Sequence, residues 1–318
     1  MEIARHQVSE QLIARAVDDI QGRVATRHHR LRWDDLTLKG LRDTRDEILD
    51  HVAARTLSDP ALSATEAHLA LRTAASCSAG VLDLSLWPEG DFYIEFPLIT
   101  DYLDLIDGNT NDRERFNAPE AINTVNLTFA GEARRIPSVS EWSDAFALCL
   151  LGSEFRHPWR YHLILRGEVA SEIRSEATDP AAVAEMDALC AYVDRTMRRL
   201  DGPDPMERLR KPDADERARA ARRLDDAGPL TPDQRLLRVL LDDDRPAFDR
   251  ALADRLTEYR DTVGDDPAPR SLLPLATIVL AKLAVLVHGW DLDVRSGYLP
   301  EALLRLPAPA DPAVSSTP

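Results

Sequence analysis

The stretch Ser271-Leu-Leu-Pro-Leu-Ala-Thr-Ile-Val-Leu-Ala-Lys-Leu-Ala-Val-Leu-Val-His288-Gly-Trp290 is the most apolar run of a strongly charged sequence. Ser271 favours a helix start with Pro274 in the first turn, and Gly289 supplies the left-handed residue that often ends a helix. Apolar side chains cover most of the helical wheel, so the helix has little polar face. The stretch therefore predicts a central helix over residues 271–288, with other helices packed around it.

A membrane span is the alternative interpretation of this run. It is shorter than the roughly 20 apolar residues that a bilayer requires, and Lys282 lies at its centre. Its flanks show no bias of positive charge towards one side. We therefore reject a span and predict no membrane partner. We expect the Lys282 ammonium either to pair with a carboxylate or to reach water along its stem.

The composition is that of an acidic globular protein. Among 318 residues, 55 are Asp or Glu and 39 are Lys or Arg, which gives a net charge of −16. Such a surface repels nucleic acid and anionic membranes, and it favours basic protein partners. The many Ala, Asp and Arg residues also indicate a GC-rich coding bias, which alone explains part of the acidity.

The cysteines and the N-terminus indicate the cellular compartment of the protein. Cys77, Cys149 and Cys190 are far apart, lie in apolar helical runs and form no CxxC pair. This pattern is typical of buried free thiols in a reducing compartment. The N-terminus lacks the apolar region of a secretion signal. We therefore expect a cytoplasmic protein.

Helical periodicity accounts for most of the chain and predicts a multi-helix bundle. Two segments that look alike, Phe146 to Arg166 and Leu236 to Leu256, indicate stacked helical hairpins. Capping boxes at Ser63–Glu66 and Ser138–Glu141 each open a helix, and Gly80 is expected to close the first of these. From the helical spacing we place Trp142, Trp159 and Trp290 in the core. The other predicted helices cover residues 9–27, 37–55, 157–165, 180–197, 214–227, 232–242 and 246–260.

A change of period marks a small β region. Leu82, Leu84 and Leu86 alternate with polar residues, a turn follows, and a second alternation begins at Phe92. This pattern predicts a β-hairpin, with one more strand near Val125. The predicted fold is mainly α, with a small hairpin or sheet in the region 81–129. Residues 1–299 form one domain or two halves, 1–135 and 136–299, and residues 300–318 form a disordered tail.

Standard signatures for phosphate, metal or nucleophile sites are absent from the sequence, so we predict no catalytic residue, metal site or cofactor. Asp242-Asp-Asp244 resembles an aspartate-rich magnesium site, but the further aspartate one turn on is missing. The spacing of Asp107–Asp112 resembles a calcium loop, but Asp112 replaces the required glycine and Ala118 the required acid. We interpret both segments as solvated surface.

The histidines and nearby acids are dispersed along the sequence. We expect His288 to be packed or to cap the central helix, and Glu47 and His51 to form a surface pair on one helix face. An all-α enzyme using Glu47, His51 or His288 is one alternative function. It requires a pocket that joins at least two of these groups.

Three segments together carry a family resemblance: Glu141-Trp-Ser-Asp-Ala-Phe-Ala-Leu-Cys-Leu150, Leu230 to Asp244, and Leu272 to Tyr298 with its Val-His-Gly-Trp290. They resemble the immunity protein 49 family of bacterial polymorphic toxin systems, over about residues 35 to 299. The resemblance implies a mainly α-helical cytoplasmic protein that binds a cognate toxin domain and blocks it. It also implies no catalysis and no cofactor.

The acidity suits a basic, nuclease-like toxin, because opposite charges raise the association rate. A helical scaffold that binds an endogenous protein is a further alternative. The sequence does not determine the oligomeric state or the toxin. The candidate partner-binding residues are exposed acids near strand and loop edges: Asp101, Asp104, Asp107, Asp242, Asp243 and Asp244.

Overall fold

The computed structural model describes residues 1–33, 36–89, 92, 94–99, 124–125, 133–153, 164, 167–193 and 209–305. Within these residues the chain forms twelve named α-helices, one 3₁₀ helix and two short two-stranded sheets, so the predicted mainly-α fold is confirmed. The helices are α1 Glu10–Val17, α2 Ile20–Trp33, α3 Leu38–Arg55, α4 Thr65–Leu86, α5 Val139–Leu151, α6 Gly167–Glu176, α7 Pro180–Ala191, α8 Ala214–Asp226, α9 Pro232–Leu241, α10 Arg245–Thr262, α11 Leu275–Leu286 and α12 Glu301–Leu304.

Four short strands complete the fold: β1 Glu2–Ile3, β2 Ile94–Glu95, β3 Thr124–Val125 and β4 Arg295–Ser296. β1 pairs in parallel with β4, which joins the two ends of the described chain. β2 pairs antiparallel with β3, with Ile94 opposite Val125. A small sheet therefore lies in the region 81–129 as predicted, although its strands pair differently.

α4 packs between α3 and α5, and from Thr73 to Leu86 it is buried on all sides. Its last two turns contain Leu82, Leu84 and Leu86, so the predicted β-hairpin at these residues is wrong. In a helix without a polar face, apolar residues at every second position do not distinguish a helix from a strand. Gly80 lies inside α4 and does not close it. Its missing side chain instead makes room for Ile94. A Cβ there would lie 2.8 Å from the Ile94 Cδ1 atom.

α11 is the central apolar helix that the sequence predicts, but it is shorter than 271–288. Residues Pro269–Leu272 form the 3₁₀ helix, and α11 begins only after Pro274, whose carbonyl accepts the Ile278 amide at 3.0 Å. The residue before a proline avoids the α conformation, so the proline separates the two helices. Ser271 is therefore not the N-cap. Gly289 ends the segment with a φ of +72° as predicted.

By length and composition alone, Pro269–Leu286 is apolar enough to cross a membrane. However, 67% of this window is buried inside the fold. Burial of this kind is what a core helix of a helical fold requires. α11 contacts α5, α9, α10 and α12.

The predicted first helix, 9–27, consists of two helices. They are interrupted at Asp19, which has a φ of +33°, and the Asp19 carboxylate accepts the Gly22 amide at 3.1 Å. An aspartate that bonds to a backbone amide three residues on favours a helix start, so α2 begins anew here.

Most other predicted helices are confirmed, including α3, α8, α9, α10 and the capping box at Ser138–Glu141. The predicted capping box at Ser63 is wrong, because the Ser63 hydroxyl bonds to Asp59 and α4 begins after Ala64. Leu303 is buried in α12, so the fold extends beyond residue 299. The predicted helix 157–165 and residues 306–318 lie outside the described residues, apart from residue 164.

Several core predictions concern single residues. All three cysteines are buried and none is in a disulfide. Trp142 is fully buried, with its indole N–H donating to the Ile164 carbonyl at 2.8 Å. Trp290 packs its ring against His288, with the centroids 4.6 Å apart. Trp159 lies outside the described residues. Lys282 is 2% exposed and forms no ion pair with any described residue, so the predicted carboxylate partner is wrong.

Candidate partner-binding surfaces

Three of the six candidate aspartates are among the described residues. Asp101, Asp104 and Asp107 lie outside the described residues. Asp242 to Asp244 form the turn between α9 and α10. All three of these carboxylates contact neighbouring groups within the fold.

Asp243 is tied into the fold more closely than a solvated acid would be. It occupies the left-handed region with a φ of +61°. Its carboxylate accepts hydrogen bonds from His288 Nδ1 at 2.7 Å and Lys211 Nζ at 2.7 Å, and it pairs with the Arg217 guanidinium at 3.1 Å. Burial raises the pKa of Asp243, but the hydrogen bonds from Lys211 and His288 outweigh this effect and lower it below its usual value.

His288 continues this cluster into the core. Its Nε2 atom lies 3.0 Å from the Tyr192 hydroxyl, so a neutral ring donates through Nδ1 to Asp243 and accepts from Tyr192. Burial lowers the pKa of His288 and favours this neutral form. The side chain of His288 and the whole of Tyr192 have no exposed surface. We interpret the cluster as a structural link between α7, α8, the α9–α10 turn and α11.

The two flanking acids have different environments. The Asp244 carboxylate accepts the Ala247 amide at 3.1 Å and caps α10. Asp242 has a 53% exposed side chain and pairs with Arg238 one turn earlier on α9. Asp242 is thus the member of the triplet that a partner can reach without loss of a cap or a buried hydrogen bond. A role of these three acids in binding stays a prediction.

The candidate acid–base groups do not come together. Glu47 pairs with Arg23 at 2.8 Å and Arg27 at 3.0 Å, which ties α2 to α3. His51 is 2% exposed, and its Nδ1 atom lies 3.1 Å from the Ala16 carbonyl. The predicted surface pair of Glu47 and His51 is therefore wrong.

Sequence reasoning missed a serine–histidine contact. His6 Nε2 lies 2.8 Å from the Ser271 hydroxyl, and His6 Nδ1 lies 2.6 Å from the Tyr298 hydroxyl. The Ser271 hydroxyl donates its own proton to the Ala268 carbonyl at 2.7 Å. With that proton engaged, Ser271 accepts a hydrogen bond from His6 Nε2. The contact fastens the N-terminal segment, and no local sequence signal announces a pair 265 residues apart.

Two neighbouring cavities of about 370 and 480 Å³ form a groove along α3, and both are lined by Asp46 and Arg270. Arginines and acids alternate along its walls and pair with one another, as Arg270 does with Asp50 at 2.9 Å. A third cavity, of about 1020 Å³, lies beside β1 and β4. Neither His51 nor His288 lines these cavities. Within the described chain, no group of three His, Cys, Asp or Glu residues is arranged to hold a metal ion.

Comparison with known proteins identifies the family. The model of one family, described as Immunity protein 49, matches residues 59–303, from the turn after α3 to the short helix α12. This is most of the chain, and the chain therefore belongs to that family, as the resemblance predicted. The match begins later than the predicted residue 35. Comparisons with curated proteins and with solved structures give no match.

Proposed function

We propose that this protein is an immunity protein that binds a cognate toxin domain and blocks it by occlusion, without catalysis. The observation that carries the proposal is membership of the immunity protein 49 family over residues 59–303. We also propose that the protein is cytoplasmic, because buried cysteines that form no disulfide are typical of a reducing compartment.

The arrangement of polar groups supports a non-catalytic role. The Nδ1 atom of His51 and both ring nitrogens of His288 are engaged in structural hydrogen bonds. Glu47 is neutralised by two arginines from the neighbouring helix. A catalytic acid or base needs access to substrate as well as a suitable pKa. Among the cavities lined by described residues, none is shared by Glu47, His51 and His288.

The charge of the protein supports a basic toxin as partner. A net charge of −16 attracts a basic surface and raises the rate of encounter, and the attraction weakens with salt. Toxins that act on nucleic acid need basic surfaces to bind it. We therefore propose a basic, nuclease-like toxin and a binding surface that includes Asp242.

Co-expression with the toxin domain encoded beside this gene tests the proposal. We expect the protein to restore growth and to co-purify with the toxin in a stoichiometric complex. Growth arrest with no complex, in cells that contain folded protein at normal levels, would reject this toxin as the partner and favour a scaffold function.

A matched pair of substitutions tests the acidic surface. Asp242→Lys reverses an exposed charge at the candidate surface, and Asp254→Lys reverses an exposed charge on α10. Both change the net charge equally, so general attraction weakens equally in both. A larger loss of toxin affinity for Asp242→Lys supports the surface, and equal affinities remove Asp242 from it.

A further inference from the structure

The outer face of the second half of α2 is basic and aromatic in a protein that is acidic overall. α2 contains no Asp or Glu in its 14 residues. Val24 and Leu31 are buried on its inner side, whereas His29, Arg30 and Trp33 are exposed. Residues three and four apart on a helix are neighbours, so these three side chains form one continuous stripe.

The arginines of α2 divide into two pairs. Arg23 and Arg27, the two nearer the start of the helix, form ion pairs with Glu47 on α3. In the second half, Arg30 and Arg32 form no ion pair with any residue that the structure describes. Asp34 and Asp35 follow in the sequence and lie outside the described residues. Among the described residues, the second pair therefore has no acidic partner.

Trp33 adds a large apolar surface to this stripe. It is 67% exposed, and the guanidinium of Arg32 lies 5.1 Å from its ring centroid. A cation over the ring face of an exposed indole is attracted to it by about 0.5–1 kcal/mol. Tryptophan and arginine are the residues that most often dominate the binding energy of protein interfaces, where a partner removes them from water.

We propose that His29, Arg30, Arg32 and Trp33, here named the α2 patch, bind a carboxylate-bearing surface of the toxin. This inference rests on the proposed function and adds a contact to it. The guanidinium groups of Arg30 and Arg32 are suited to bind carboxylates through paired hydrogen bonds, and Trp33 supplies the apolar contact.

The proposed contact gives the complex a defined orientation. The acidic remainder of the protein attracts a basic toxin from many directions, which raises the rate of encounter but does not select one pose. An acidic group on the toxin is repelled by most of this surface and attracted by the α2 patch. Opposite charges placed in this way fix the register of an interface.

The test measures toxin affinity by calorimetry for the full-length protein and three variants. Trp33→Ala is expected to weaken binding by about 30-fold or more, the loss typical of a central aromatic contact. The double variant R30E/R32E is expected to weaken it by about 10-fold or more, because a carboxylate then faces a carboxylate. The control R219E/R222E changes two exposed arginines on α8 and is expected to alter affinity by less than about threefold.

The control separates the contact from general electrostatics, because both double variants change the net charge by the same amount. Added negative charge strengthens the general attraction to a basic toxin, so a loss for R30E/R32E runs against that trend. Thermal unfolding of each variant checks that it is folded. We expect unchanged melting temperatures, since none of these side chains is buried.

Three results would overturn the inference. Wild-type affinity in both α2 variants would remove the patch from the interface and leave the proposed function standing. Absence of any complex with the wild-type protein would overturn the function and this contact together. Binding of a labelled single-stranded RNA that R30E/R32E abolishes, with toxin affinity unchanged, would assign the patch to nucleic acid instead.

Discussion

Asp243 and His288 join the turn between α9 and α10 to the end of the central helix through a hydrogen bond of 2.7 Å. The same carboxylate neutralises Lys211 and Arg217, so four segments of the chain meet at one acid. At least one member of the Asp242–Asp244 triplet is therefore a structural residue and not only a candidate binding residue. Reversing all three charges would disturb the fold as well as any interface, and we expect such a variant to have a lower melting temperature.

The substitutions Asp243→Asn and Asp242→Asn distinguish the acid that stabilises the fold from the acid that is exposed to a partner. Asp243→Asn keeps the shape and tolerates the left-handed backbone, but it removes the charge that balances Lys211 and Arg217. We expect it to lower the free energy of unfolding by about 1–2 kcal/mol in urea titrations. Asp242→Asn removes an exposed one-turn pair with Arg238 and should cost about 0.5 kcal/mol or less. Equal losses would contradict the structural role of Asp243.

The C-terminal helices could be predicted closely because their start signals are local. Thr231 with Gln234, and Asp213 with Glu216, form capping boxes within four residues of sequence. The second half of α4 was not predictable in this way. Its register with Ile94 and its burial on every side come from distant parts of the chain, and its alternating leucines satisfy a strand pattern equally well.

The candidate site was less predictable than the fold. The apolar period of α11 indicates that His288 is packed, but it does not indicate Asp243 and Tyr192 as partners, which are 45 and 96 residues away. The exposure of Trp33 likewise depends on which side of α2 packs on its neighbours. Contacts of this kind require the tertiary structure.

Buried histidines make the protein sensitive to mild acid. Burial lowers the pKa of His51, His288, His28 and His6. Between the folded and unfolded pKa values the unfolded state binds more protons, so the free energy of unfolding should fall as the pH decreases below about 6.5. His51→Gln removes one of these groups. Its free energy of unfolding should therefore depend less steeply on pH between about pH 7 and pH 5.

Urea titrations across that pH range measure the slope of the free energy of unfolding against pH. Each additional proton that the unfolded state binds contributes at most about 1.4 kcal/mol per pH unit to this slope. His29→Gln changes an exposed histidine and is the control for the substitution itself. A His51→Gln slope as steep as that of the wild type would show that His51 is not a source of the acid sensitivity.

Glu141 links α3, the segment before α5, and the start of α5. Burial alone would raise its pKa, but hydrogen bonds from Arg135, the Ser138 amide and Arg42 lower it to about 2. A carboxylate with a lowered pKa stabilises the folded state above its unfolded pKa and loses that contribution as the pH falls towards the folded value. We expect Glu141→Gln to cost about 2 kcal/mol near pH 7 and progressively less below about pH 4.5.

Glu216 provides the matched comparison for Glu141. It occupies the same position in the capping box of α8 and accepts hydrogen bonds from Arg210. Its partners lie within six residues of sequence, so it joins no distant segment. Urea titrations should show a smaller loss for Glu216→Gln. A loss as large as that of Glu141→Gln would mean that the cap, and not the link to Arg42, supplies the stability.

Lys282 is the clearest case of a residue that the fold tolerates at a cost. Its side chain is 2% exposed in the central helix, it has no carboxylate partner among the described residues, and burial lowers its pKa to about 8. The folded state therefore disfavours a protonated Lys282, whereas in the unfolded state this lysine stays protonated up to about pH 10.5. Lys282→Met keeps the length of the side chain and removes the charge, so we expect it to raise the free energy of unfolding by about 2–3 kcal/mol near pH 7.

The sign of this effect can be checked with pH. Between about pH 8 and pH 10.5 the folded wild type has released the Lys282 proton while the unfolded chain retains it, so wild-type stability rises with pH and the advantage of Lys282→Met shrinks. Lys39→Met, at an 82% exposed side chain, is the control and should change the stability little at any pH. With only three lysines in the sequence, NMR of isotopically labelled lysine side chains can follow Lys282 directly. A Lys282 signal that titrates near pH 10.5, together with a Lys282→Met variant no more stable than the wild type, would show that the ammonium is hydrated and that its burial costs nothing.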